Sequence, residues 1–283
     1  MNIMCKNISS NPTKPESAEA RVQRVRKEVA DALKVRSRIG TPAEKLEVVM
    51  TSAGLDKLEN ATVMVLGLGG VGSSCTEALA RGGIGNLIIV DGDIVSESNI
   101  NRQAIAFTQT LGHNKTDVMQ EMIASINPAC NVQAINKFML SSDVEAFMQK
   151  WASKADMVID AIDSVAVKLA IAQFAYTHNV KLISSMGGAN KLHPEMLKFS
   201  DISKTVNCPL SRVMRKECRR RGIKKLEVLF SAEQPLVRPA IEGAARSERT
   251  NLGTASFMPP IMGQMIAGRV LCQLAEVPDY EQL

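Results

Sequence analysis

The run Gly67-Leu68-Gly69-Gly70-Val71-Gly72 follows a short apolar stretch, 63–66, and precedes a helical pattern. Small residues at a strand-to-helix turn let the backbone approach a phosphate, and the helix N-terminus offers unpaired N–H groups there. Asp91 ends a second apolar run, 87–90, where a carboxylate can accept hydrogen bonds from ribose hydroxyls. Asn99-Ile100-Asn101-Arg102-Gln103 and then Lys115 follow. The glycines with Asp91 suit NAD, FAD, S-adenosylmethionine or ATP alike, or simply tight strand–helix packing. Arg102 and Lys115 narrow the choice, because two fixed cations beside a phosphate chain stabilise charge that develops in transfer. Arg102 can fork onto phosphate oxygens, Lys115 can reach the α-phosphate as a point charge, and Asn99 can hold sugar or phosphate. No G-K-[ST] follows the glycines, so the turn is not a P-loop. Asp163 lies just past the strand ending at Asp160, where one carboxylate would suit Mg²⁺. Asp163 is equally well placed to cap the next helix, and Arg102 and Lys115 could be solvated surface charges.

Other chemistry is scarcer. The cysteines at 5, 75, 130, 208, 218 and 272 form no C-x-x-C pair, which argues against a structural zinc site or a disulfide framework and fits a reducing, cytoplasmic setting. His113, His178 and His193 share no metal or triad spacing. Cys75 reads as a packed thiol. Residues 209–225 hold Arg212, Arg215, Lys216 and Arg219 on one expected helix face, with further arginines and lysines after them. The stripe is either a solvated face or a tracker of RNA phosphates. The net charge of +5 permits a nucleic-acid partner without requiring one.

The elements that must position these groups alternate. Strands are expected at 62–66, 87–90, 131–135, 156–160 and 180–184, with helices at 71–81, 114–125, 142–152 and 164–177 between them. That alternation predicts an α/β fold, a Rossmann-like, mostly parallel sheet with helices on both faces. After 187 the pattern changes: a hairpin region over 189–200, the basic helix over 209–221, a strand over 226–230, loop-rich residues 233–255 and a packed helix over 260–275. A smaller C-terminal α+β extension that finishes the same domain is therefore expected. Upstream, 1–15 read as disordered, 16–37 as a charged helix, and 41–44 as the capped start of a short helix with Pro42 in its first position. No uninterrupted apolar run is long enough to span a membrane. Glu16, Glu19, Glu28 and Asp31 argue against a transit peptide.

G-L-G-G-V-G-S at 67–73, D-G-D at 91–93, N-I-N-R-Q at 99–103, L-G-H-N-K at 111–115, I-N-P at 126–128 and D-A-I-D at 160–163 resemble the adenylating domain of the ubiquitin-activating superfamily. The resemblance implies Mg-ATP chemistry on a carboxylate. It implies that Gly67, Gly69, Gly70 and Gly72 line the ATP loop, Asp91 holds ribose, Asn99, Arg102 and Lys115 hold phosphates, and Asp163 binds Mg²⁺. It also implies an arginine from an N-terminal segment, often across a dimer, for which Arg38 is the nearest match. S-M-G-G-A at 185–189, N-C-P-L at 207–210, R-R-G-I at 220–223 and F-S-A-E at 230–233 are similar to the tRNA threonylcarbamoyladenosine dehydratases within that superfamily. That branch implies cyclising dehydration of the modified nucleoside through an acyl-adenylate, tRNA contact by the basic helix and a homodimer, with a sulfur-relay protein as a candidate partner. Its span divides the chain into an extension (1–35), an adenylating domain (36–276, with nucleotide core 62–186 and substrate-side extension 187–276) and a tail (277–283). Cys208 and Ala232 depart from the family pattern, which usually has Asp and Thr there. Two alternatives stand beside this reading: adenylation of the C-terminal glycine of a ubiquitin-like or sulfur-carrier protein, and a non-catalytic nucleotide-binding partner of an RNA-modifying complex. A NAD-dependent oxidoreductase is a further rival.

Overall fold

Short runs of Val, Ile, Leu and Met that are apolar on both faces can be stable only if covered on both sides, and that is how the strands lie. The structure is a computed structural model that describes residues 38, 40–236 and 252–277. The disorder expected over 1–15, the helix expected over 16–37 and most of the loop expected over 233–255 fall outside those residues. The chain divides into two compact units, 1–45 and 46–283.

Seven strands form one sheet: β1 (Thr62–Leu66), β2 (Asn86–Asp91), β3 (Asn131–Asn136), β4 (Met157–Asp160), β5 (Leu182–Ser185), β6 (Leu197–Asp201) and β7 (Glu227–Ser231). Their order is β3-β2-β1-β4-β5-β7-β6. All neighbours are parallel except β6, which runs antiparallel to β7 with Phe199 opposite Leu229. The strand order reverses between β1 and β4, the point at which open α/β sheets leave a crevice beyond their carboxyl ends.

The helices are α1 (Glu44–Met50), α2 (Ser52–Asn60), α3 (Gly70–Arg81), α4 (Lys115–Ile126), α5 (Val144–Trp151), α6 (Val165–His178), α7 (Pro209–Arg220) and α8 (Met258–Ala275). The core of β1, β2 and β4 (Met64, Leu66, Val90 and Val158 among others) is buried against α5 and α6 through Phe147, Met148, Leu169 and Phe174. On α8, Met262, Ile266 and Val270 are fully buried, and the helix packs against α3 and α2. The apolar C-terminal run is therefore a packed helix, as its pattern predicts.

Three local expectations change. Residues 189–200 form no hairpin of their own: β6 starts only at Leu197, and its partner β7 comes after α7. Periodicity sees β6 but cannot see a partner reached across an intervening helix. Thr41 and Pro42 lie in a turn, and the helix starts at Glu44; the Thr41 carbonyl accepts the Glu44 N–H at 3.1 Å. Ser164, not Asp163, holds the cap position of α6, without a side-chain capping bond.

Candidate nucleotide-binding and adenylation site

The carboxyl ends of β1, β2, β4 and β5 open onto a cavity of about 780 Å³. Gly67, Gly69, Gly70, Asp91, Asn99, Arg102, Lys115 and Asp163 all line it. The glycine turn is held to the sheet from both sides. The Gly67 N–H donates to the Val90 carbonyl at 2.8 Å, and the Ala161 N–H donates to the Leu66 carbonyl at 2.8 Å. Gly67 has φ +89°, a left-handed backbone that side chains rarely tolerate. Gly72 does not line the cavity; a Cβ there would sit 1.8 Å from the Gly67 carbonyl oxygen. Its place is beneath the turn, where α3 meets the loop. At Gly69 a Cβ would meet nothing within 4 Å, so the open side of that glycine faces cavity space. The first residues of α3, Gly70 and Val71, line the same space, and a helix start leaves its first N–H groups without intrahelical partners, as an anion site requires.

Asp91 is fixed from the turn. Its carboxylate accepts the Leu68 N–H at 2.6 Å and the Asp93 N–H at 2.8 Å, with lone pairs remaining for hydroxyl donors. Lys115 opens α4, and its side chain is 7% exposed. Its ammonium donates to Asp93 at 3.0 Å and lies 3.8 Å from Asp91. Its backbone is registered by the Lys115 N–H donating to the Asp93 carbonyl at 3.0 Å. The cation is thus held by an acid pair at the cavity wall before any phosphate arrives.

Asn99 ends a single 3₁₀ turn, and its side-chain oxygen accepts the Ser96 N–H at 3.1 Å. The Arg102 guanidinium donates through Nη1 to the Ser98 carbonyl and to Asn101 Oδ1, each at 2.8 Å. Its side-chain stem passes beside Gly70, whose Cβ would lie 3.2 Å from the Arg102 Cγ. The loop is pinned to α3 by the Ala104 N–H donating to the Ser73 hydroxyl at 3.1 Å. Gln103, also on the cavity wall, has a buried side-chain oxygen with no partner among the described residues. A cradle open at Gly69, the cations Arg102 and Lys115 at its wall and an unpartnered acceptor at Gln103 together fit a nucleoside phosphate.

At the end of β4 the carboxylate of Asp160 is fully buried. It accepts from the Lys168 ammonium at 3.0 Å and from the Ser184 hydroxyl at 2.6 Å. Asp160 Oδ1 also accepts the Ile162 N–H at 3.1 Å, which shapes the turn presenting Asp163. Asp163 is exposed at the cavity wall. Among the described residues no group of three or more His, Cys, Asp or Glu could hold a metal by itself. A single carboxylate nevertheless fits Mg²⁺ carried on phosphate oxygens.

Sequence reasoning missed Lys168, Ser184, Lys191 and Glu233. Lys168 had a signal, a lone cation inside the apolar run V-A-V-K-L-A-I-A, and Glu233 closes the F-S-A-E run without having been given a role; Ser184 and Lys191 had none. The thiols divide cleanly. Burial pushes Cys218 and Cys130 up to about 11 and raises Cys75 further, which makes poor nucleophiles of them. Cys208 caps α7 at the cavity wall, accepting the Ser211 N–H at 3.4 Å. The histidines stand apart: His193 pairs with Glu195, and His178 stacks on Phe174.

On α7, Met214 and Cys218 face the core while Arg212, Lys216, Arg219 and Arg220 are exposed. Arg215 departs from the expected stripe. It is half-buried and donates to the Thr205 carbonyl at 2.6 Å and hydroxyl at 2.7 Å, tying α7 to the preceding loop. Arg38 belongs to the unit 1–45, where its carbonyl accepts the Thr41 N–H at 3.0 Å.

A doubly wound sheet with a glycine turn and paired cations on one crevice defines a nucleotide-binding fold of the adenylating type. Residues 43–281 match the ThiF family, and the chain belongs to it. It is 39% identical over 237 residues to the tRNA threonylcarbamoyladenosine dehydratase of Bacillus subtilis, covering 81% of this chain and 92% of that one. It is 33% identical over 237 residues to the enzyme of the same name from Haemophilus influenzae, covering 79% and 89%. A crystal structure of the Escherichia coli tRNA N6-threonylcarbamoyladenosine dehydratase, TcdA, in complex with ATP superposes with a TM-score of 0.73 at 28% identity, covering 85% of this chain and 95% of that one.

Proposed function

We propose that this protein uses ATP to dehydrate threonylcarbamoyladenosine in tRNA, closing a ring through an acyl-adenylate. The observation that carries the reading is the convergence of Gly69, Arg102 and Lys115 on one cavity. The near full-length similarity to two dehydratases of that name supports the choice of substrate. ATP is a co-substrate, consumed in the reaction. The threonyl carboxylate oxygen attacks the α-phosphorus in line and pyrophosphate leaves. Arg102 and Lys115 balance the charge that spreads over the phosphate oxygens, while the N–H groups at the start of α3 receive the phosphate chain. Asp91, held by Leu68, takes the ribose hydroxyls. Asp163 would hold Mg²⁺, which when bound offsets the phosphates' negative charge. The carbamoyl group of the same nucleoside then attacks the activated carbonyl carbon, and the carbon–oxygen bond to AMP breaks. The former carboxylate oxygen leaves on AMP and the carbamoyl group gives up one proton to solvent, so the carboxyl OH and that hydrogen make up the water formally lost. Because both groups sit on one nucleoside, the second step is intramolecular, and the protein's task is to orient them and exclude water.

The adenylating domain in this reading covers 36–276. The exposed cations of α7 contact the tRNA backbone. The protein acts as a homodimer in which Arg38 serves a neighbouring site, and a sulfur-relay protein is a candidate partner. The protein's expected place of work is the cytoplasm, where its tRNA substrate is found. Among the described residues no helix is long and apolar enough to cross a membrane. The test is ATP–pyrophosphate exchange with threonylcarbamoyladenosine-modified tRNA, compared with a carrier protein ending in glycine, together with mass spectrometry of the tRNA nucleosides. Exchange with the modified tRNA and a product lighter by one water are expected. Exchange with the carrier alone, or a preference for NAD over ATP, would overturn the reading. Arg102→Ala is expected to lower exchange by roughly 100-fold or more. Lys115→Ala is expected to do the same and also to destabilise the fold, because it leaves Asp91 and Asp93 facing each other without their shared cation.

A further inference from the structure

On the wall of the same cavity, two consecutive residues, Asn190 and Lys191, tie together segments far apart in the chain. The Asn190 N–H donates to the Gly253 carbonyl at 2.8 Å, and its own carbonyl accepts the Leu236 N–H at 2.8 Å. Its side-chain oxygen accepts the Gly253 N–H at 2.7 Å. Lys191, next along, is 1% exposed. Its ammonium donates to the backbone carbonyls of Ser231 at 2.7 Å, Glu233 at 3.0 Å and Asn207 at 3.3 Å. An ammonium has three N–H donors, and here each has a carbonyl. Glu233 returns the contact, its carboxylate accepting the Leu192 and His193 N–H groups at 3.0 Å. Burial lowers the Lys191 pKa, opposed by the nearby Cys208 and Glu233.

This cage lies at the wall of the cavity, and Asn207 leads directly into Cys208 and Pro209, which line it. Three carbonyls from two segments, 207 and 231–233, converge on one point. Without a cation between them they would repel one another and remain buried without donors, a costly arrangement. The side-chain partners of Asp91, Arg102 and Lys115 lie within residues 68–115. Asn101, which holds Arg102, also donates to the Thr254 carbonyl at 3.2 Å, beside the Gly253 that Asn190 holds, but none of these bonds uses the Lys191 ammonium.

We infer that Lys191 is a positioning residue for the acyl substrate: its ammonium sets the loops around 190, 207 and 233 in one register, so that the cavity wall formed by Lys191, Cys208 and Pro209 presents the carboxylate in line with the α-phosphorus. This rests on the proposed adenylation reading for its kinetic consequence, though not for the cage itself. Lys191 acts through the wall and not on the reacting atoms.

The test uses the full chain with Lys191→Ala and Lys191→Met. Steady-state dehydration of modified tRNA, ATP affinity by calorimetry and thermal melting are each measured with and without ethylammonium or propylammonium chloride, sodium chloride serving as the ionic control. In Lys191→Ala, kcat on modified tRNA falls by roughly 100-fold, the scale expected of a misplacement on the order of 1 Å, while the Kd for ATP stays within about threefold. The alkylammonium ions enter the vacated cage, raise the melting temperature of Lys191→Ala and restore at least roughly a tenth of its lost kcat. They do neither for the wild type or for Lys191→Met, whose side chain fills the space without charge. Wild-type kcat in Lys191→Ala, an equal loss of ATP affinity, or a folded variant unmoved by the amines would each overturn the inference. Should Lys191→Ala fail to fold, Lys191→Met and Glu233→Gln decide it: a fall in kcat at unchanged ATP affinity supports positioning, and unchanged kcat refutes it. If the wild type turns over no modified tRNA, the proposed function fails, and the melting arm alone judges the cage.

Discussion

Gly69 and Gly72 stand in one turn, yet their surroundings predict opposite outcomes for adding a side chain. Gly69 has φ −69° and ψ −160°, open to any residue, and a Cβ there meets only cavity space. Gly69→Val therefore costs about 1 kcal/mol as a poor helix cap, or about 2–4 °C in melting temperature for a unit of this size. Its branched side chain occupies the place where phosphate meets the N–H groups of α3. Losing a single charge-assisted hydrogen bond there is worth about 1.5–3 kcal/mol, which is roughly 10- to 150-fold in ATP affinity. At Gly72 the added carbon would lie 1.8 Å from the Gly67 carbonyl oxygen, so that oxygen must retreat by more than an ångström and take the turn with it. Overpacking against backbone costs about 3 kcal/mol, or about 6–12 °C. Calorimetric titration with ATP and scanning calorimetry separate the two effects. A Gly69→Val protein that binds ATP like the wild type refutes the placement of phosphate over this turn. A Gly72→Ala protein that melts with the wild type refutes the close approach of α3 to the loop.

Further expectations follow from other contacts. Lys168→Met removes the cation from a fully buried Asp160 and should cost about 3–5 kcal/mol; denaturant unfolding checks this, and a loss below about 1 kcal/mol would contradict it. Burial works against ionisation of Asp201, but hydrogen bonds from the Ser203 hydroxyl and N–H and from the Leu226 N–H hold its carboxyl below the usual range. Its stabilisation is therefore complete above the ordinary carboxylate value, about 4, and fades as pH falls through the lower folded value. The stability gap between wild type and Asp201→Ala should stay constant from about pH 5 to 8 and shrink on further acidification; a gap that widens in acid would show the opposite sign. Replacing Arg212, Lys216 and Arg219 together by alanine should weaken tRNA binding and flatten the slope of log affinity against log salt by about 2–3. An unchanged slope would mean that α7 does not touch the RNA backbone.

The alternating strands and helices of 62–185 were legible in the sequence, and so were the residues that line the crevice at the glycine turn. Alternating apolar strands and helices have periods that survive without coordinates. The glycines, Asp91, Asn99, Arg102 and Lys115 fall at strand ends, helix starts and the loops between them, whose place at the carboxyl ends of the strands follows from the alternation alone. Only the tertiary structure decided what each charge is paired with. It placed Lys115 between Asp91 and Asp93, drew Arg215 out of the basic stripe onto Thr205, and joined β6 to β7 across an intervening helix. It also buried Lys168 beside Asp160 and closed three carbonyls around Lys191. The reason is physical. Periodicity records which face of an element is apolar, a local property, whereas a buried cation is stable only through partners that the fold brings in from elsewhere in the chain. For Lys191, those partners are backbone carbonyls, which every residue possesses and no sequence motif can mark.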